Sequence, residues 1–142
     1  MDNVEVANKK NDSTSFVVII LSFMLVFFLF FIGGIQALLG GTSSSSIDTV
    51  LLGEIKLITS LILIVPTILC TINVKAKKKT LSIIAMVLYF IACIFPMIKY
   101  FIELNNYEYM TSIIVYIYPS IIILILLVIY LISFIKNLNS YK

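Results

Sequence analysis

Charged residues punctuate this chain at wide intervals, and four long apolar runs lie between them. No charged side chain occurs between Asp12 and Asp48. Inside that gap, residues 16–39 form a run of 24 in which only Ser22 and Gln36 are clearly polar. The second run covers residues 57–74, with Asn73 near its end and Lys75 beyond it. The third covers 81–98 and is closed by Lys99. The fourth covers 111–135 and is closed by Lys136. Runs of 18 or so apolar residues are long enough to cross a bilayer as helices. At 1.5 Å per residue they measure roughly 27–38 Å, against a hydrocarbon core of about 30 Å. A transmembrane β-barrel requires alternating apolar and polar residues, and these runs do not alternate.

Composition sharpens that reading. Hydrophobic residues make up 61% of the 142 and charged residues 12%, where a soluble domain has about 45–50% and 25%. A chain this short leaves a third or more of its unfolded surface exposed when folded, so it cannot hide that much apolar side chain from water. Disorder needs the opposite balance. The expected fold is all-α: a polytopic integral membrane protein with four transmembrane helices in one membrane domain. The expected segments are a tail (1–15), helix one (16–39), an outer loop (40–56), helix two (57–74), an inner loop (75–80), helix three (81–98), an outer loop (99–110), helix four (111–135) and a tail (136–142). The first run is too long for a signal-peptide core of 7–15 residues, so it is expected to remain uncleaved.

Lysine placement gives the orientation. Lys9, Lys10, Lys75, Lys77, Lys78, Lys79, Lys136 and Lys142 fall on one side of such a four-span chain, and Lys56 and Lys99 on the other. Basic residues in short loops collect on the cytoplasmic side, so both termini are expected inside. The Lys-, Ile- and Asn-rich, Arg-free composition points to an AT-rich genome and a bacterial plasma membrane. The net charge of +3 is spread over short loops, which is not a nucleic-acid footprint.

The residues available for chemistry are few. There is no His, no Trp and no Arg. The commonest general base and metal ligand is therefore missing, as is the bidentate phosphate clamp. No nucleophile–base pair can be assembled, and Cys70 and Cys93 are too few for a metal site. No catalytic activity, metal or cofactor is expected. Their depths in antiparallel helices two and three place the two cysteines too far apart for a disulfide. Glu54 and Lys56 are expected at the outer mouth of helix two, where a lysine reaches the interface. Lys99 and Glu103 are expected just beyond helix three. No ionisable residue is expected deep within a span.

What remains is packing. Gly33, Ala37 and Gly41 recur every four residues on one face of helix one, a small-residue seam for close helix approach. Ser60, Thr67 and Thr71 form a stripe on helix two, and Ser82, Ala85 and Ala92 one on helix three. These two faces are expected to meet. Pro66 is expected to kink helix two, and Pro96 and Pro119 to bend or end their helices near the outer side. The loop holding Gly40, Gly41 and Ser43 to Ser46 is expected to be flexible. Membrane-interface anchors are expected at Lys75, Lys77, Lys78, Lys79, Tyr100, Tyr107 and Tyr109. The expected function is non-catalytic, acting through helix packing with itself or a membrane-protein partner, as in an immunity or transporter-accessory role. The alternative is an oligomeric pore lined by the Ser60/Thr67/Thr71 stripe. A lipid-active or redox enzyme is a weaker third. The expected partners are the lipid bilayer and a second copy of the chain or another membrane protein, and nucleic acid is not expected.

Overall fold

A computed structural model describes residues 2–40, 47–104 and 113–142. Four α-helices account for most of them: α1 (Asp2–Gly40), α2 (Ile47–Ala76), α3 (Lys79–Leu104) and α4 (Ile113–Lys136). All four are long and apolar enough to cross a membrane, over Ser13–Leu39, Thr49–Ala76, Lys79–Glu103 and Ile117–Lys136.

Three helices extend beyond their apolar runs. α1 continues back to Asp2, so most of the expected tail is helix. α2 starts at Ile47, inside the segment expected to be a loop over 40–56. α3 runs on to Leu104, past Lys99. Helical hydrogen bonding does not stop where side chains become polar. Pro96 and Pro119 end neither of their helices, and all three prolines are buried within helical segments. Gly41, the serine run, Tyr107 and Tyr109 lie outside the described residues.

Each helix packs on its neighbours in sequence, and α4 returns to α1. This is the up-and-down ring that short connections impose. The α1–α2 contact is the most extensive and α4–α1 the least. Only Lys77 and Lys78 separate α2 from α3. Lys77 adopts φ 46°, the left-handed conformation that commonly ends helices. Asn73 secures this turn. Its carbonyl oxygen accepts the Lys77 N–H at 2.9 Å, and its side-chain Oδ1 accepts the Lys78 N–H at 2.8 Å. After α4, a 3-10 turn at Leu138–Ser140 leads the chain back over this corner. There the Lys142 N–H donates to Lys77 O at 2.7 Å, and the Lys79 N–H donates to Lys142 O at 3.2 Å. Tyr141 packs on Phe134 with ring centroids 5.0 Å apart. We call this the turn end of the bundle and its opposite the far end.

Toward the far end, α1 and α2 approach backbone to backbone. A Cβ on Gly53 would lie 2.5 Å from Ala37 N and 2.8 Å from Gly33 O. A Cβ on Gly33 would lie 2.9 Å from both Gly53 O and the Lys56 Cβ. Gly33 and Ala37 thus pack within this chain, and their counterpart is Gly53. Neighbouring Gly34 meets nothing within 4 Å. Gly33→Ala and Gly53→Ala should each destabilise the bundle by about 1–3 kcal/mol through overpacking, whereas Gly34→Ala should stay within about 0.5 kcal/mol of the parent. Thermal unfolding in detergent, followed by circular dichroism, separates the three variants.

Candidate functional site

An interior built from apolar helices has no water for polar side chains, so each buried polar group must find a partner in the protein. Two polar clusters result, one toward each end of the bundle.

The first centres on Lys56, on the α2 face that carries Gly53 one turn earlier. Expected at an interface, Lys56 is instead buried, with 4% of its surface exposed. Its Nζ donates to Gln36 Oε1 on α1 at 2.6 Å and lies 5.5 Å from the centre of the Tyr118 ring on α4. A charge-assisted hydrogen bond and a cation–π contact hold the ammonium from two sides. No ion pair to Lys56 is present among the described residues. The glycine contact makes this geometry available. Gly33 leaves room for the Lys56 stem, and Gln36, one turn further along α1, receives its head.

The second cluster runs from the middle of the bundle to the turn end. Ser22 on α1 and Tyr89 on α3 share a hydrogen bond of 2.8 Å across the bundle. Tyr89 and Tyr130 face each other at 6.4 Å between ring centres, and the Cys70 thiol sits beside both. The Tyr130 hydroxyl lies 3.2 Å from Ser82 Oγ, which accepts from Asn73 Nδ2 at 2.6 Å. Ser15 and Ser133 join α1 to α4 at 3.2 Å. Below these groups is a polar cavity of about 20 Å³, bordered by Ser15, Asn73, Lys77, Tyr130 and Asn137. That is room for about one water.

The expected site residues are distributed unevenly over these clusters. Ser82, Ala85 and Ala92 all face the interior, but only Ser82 joins the hydrogen-bonded chain. Ser60 and Thr67 are buried and donate to carbonyls of their own helix, Leu57 O at 2.6 Å and Leu63 O at 2.7 Å. Thr71 points outward and donates to Thr67 O at 2.9 Å, so it does not share their buried face. Tyr100, expected as an interface anchor, is 6% exposed and packs with Leu52 and Ile55. Its helical phase explains this, because it continues the inward stripe of Ser82, Ala85, Tyr89, Ala92 and Pro96. Lys75, Lys78 and Lys79 are exposed at the turn end, and Lys77 is half-buried there. Both cysteines are free and buried, and Cys93 Sγ donates to Ser120 O at 3.3 Å. Ser120 Oγ is buried without a partner among the described residues.

Sequence reasoning missed Lys56, Gln36, Tyr89 and Tyr130 as site residues. The signal for the tyrosines was their depth, since a hydroxyl in the middle of an apolar run requires a partner.

Three variants weigh the clusters. Gln36→Leu should destabilise the protein by about 1.5–3 kcal/mol, the worth of a hydrogen bond to a charged group. The double variant Gln36→Leu/Lys56→Met should regain most of that loss, because it also removes the stranded charge. Tyr89→Phe should cost about 1 kcal/mol, within the range for interhelical hydrogen bonds. Unfolding midpoints in detergent read all three.

Comparison with family models, curated proteins and solved structures finds no match to this chain.

Proposed function

We propose that this chain is a non-catalytic multi-pass protein of a bacterial plasma membrane, with both termini in the cytoplasm. It acts by contact with a second membrane protein, in the manner of an immunity or transporter-accessory protein. The observation that carries this reading is how the side chains divide. The polar groups inside the bundle are largely spent on one another, whereas α1 presents Phe16, Phe23, Phe27, Phe30 and Phe31 outward. Large exposed apolar surface marks an interaction or lipid-facing site, and aromatic side chains supply much contact area at low entropic cost. The lysines of the turn end support its cytoplasmic placement.

Lys56 favours a second reading, an oligomeric pore or permeation protein, because a buried ammonium at span depth is characteristic of ion pathways. The hydroxyl stripe speaks against that reading, since Ser60 and Thr67 are bonded to their own backbone and Thr71 faces away.

Liposomes containing only this protein should conduct neither chloride nor potassium above protein-free controls. A flux abolished by Lys56→Met would establish the pore instead. A photo-crosslinking residue in place of Phe27 should capture a different membrane protein in the source cell's membranes. Adducts with lipid and with this chain alone would remove the partner reading.

A further inference from the structure

The chain beyond α4 is attached to the bundle differently from the helices. Residues 137–142 leave Lys136 through the 3-10 turn and cross the α2–α3 corner. They are tied to that corner by the Lys142 N–H to Lys77 O bond at 2.7 Å and the Lys79 N–H to Lys142 O bond at 3.2 Å. Tyr141 rests on Phe134 of α4. None of these residues is buried, and Leu138, the one large aliphatic side chain among them, is exposed. A segment that buries little apolar surface opens locally at a free energy well below that of global unfolding.

Behind this segment the bundle is polar. Asn137, Ser140 and Tyr141 border the cavity of about 20 Å³ from the segment, and Ser15, Asn73 and Tyr130 border it from the helices. Cys70 borders the same space from α2. Cys70, Asn73 and Tyr130 are each at most 3% exposed. The segment thus separates water from groups that water solvates well, so lifting it costs little in polar terms. The hydrogen bonds that hold the helices together at this end, from Asn73 to Ser82 to Tyr130, pass through none of its residues. We propose that residues 137–142 are a releasable strap. They lift from the α2–α3 turn while the four helices stay packed, and lifting admits water to the polar cavity and to Cys70. Closed and open strap are two states of one bundle. The proposal depends on neither the partner reading nor the pore reading, and requires only that the turn end meets water.

The two cysteines supply the test. Both are buried and free, but Cys93 lies on α3 against Ser120 of α4 and does not border the cavity. It therefore reports loosening of the helices, whereas Cys70 reports the strap. The full chain in detergent is treated with a small water-soluble methanethiosulfonate, and modification of each cysteine is timed by peptide mass spectrometry. Cys70 should react faster than Cys93 in the parent. Lys142→Pro removes the donor to Lys77 O. Tyr141 already has the extended backbone, φ −87° and ψ 140°, that a residue before proline adopts. Losing that one hydrogen bond should speed Cys70 modification about fivefold. A chain ending at Asn137 loses both backbone bonds and should speed it by more than about tenfold. Cys93 should keep its parent rate in both variants. An unchanged Cys70 rate in the shortened chain overturns the proposal, because the strap is then not the barrier. A parallel rise at Cys70 and Cys93 also overturns it, because the segment is then part of what holds the helices. So does an equal rate for the two cysteines in the parent, which would mean that Cys70 is reached only when the whole bundle opens.

Discussion

A hydroxyl, an amide or an ammonium inside a bundle of apolar helices has no water to bond, and the arrangement of the four helices answers that constraint. Asn73 shows how. Its side chain spends one end on the α2–α3 turn and the other on Ser82, which in turn meets Tyr130 on α4. Three helices and their tightest connection are thereby held in register by one buried amide. Ser22 and Tyr89 do the same across the bundle. Dispersion between apolar side chains does not specify rotation about a helix axis nearly so well. Leucine and isoleucine pack acceptably at many angles, whereas a hydrogen bond is lost within about an ångström.

The far end obeys the same rule with a charge in place of an amide. An ammonium in a poorly solvated interior is tolerated only with partners close on several sides. Gln36 and Tyr118 supply them from α1 and α4. Their approach depends on Gly33 and Gly53, whose missing side chains let two backbones touch. The small-residue seam and the buried lysine are one device: the first sets the interhelical distance that the second requires. Both polar clusters are satisfied from inside, which leaves the outward surface as the part of the molecule free to meet other molecules.

Much of this was legible in the order of residues, and the gaps have definite causes. The four helices follow from run length. The inward phase of α3 was readable from Ser82, Ala85 and Ala92, and carrying that stripe onward reaches Tyr89 and Tyr100. Treating every tyrosine near a span end as an interface residue hid Tyr100. Lys56 is hidden from a reading of hydropathy alone, because a charge next to an apolar run looks like the end of a helix. α2 in fact begins at Ile47, which carries Lys56 more than two turns inside it. Gly53 has no small-residue pattern of its own along α2, and its role depends on Gly33 and Ala37 opposite it on α1.

The sequence by itself determined that four helices form, how long their apolar portions are, and that the lysines gather toward one end. Those properties depend on neighbours along the chain: backbone hydrogen bonds close over four residues, and hydropathy sums over a run. Only the tertiary structure decided which face of each helix turns inward, that Gly33 meets Gly53, and that Lys56 lies inside the bundle. It also decided that the C-terminal segment closes over the α2–α3 turn and that the α1–α4 contact stays open. Those outcomes depend on atoms far apart in the chain. Whether a polar side chain at a given position is stable depends on what another helix places within 3 Å of it, and no local pattern carries that information.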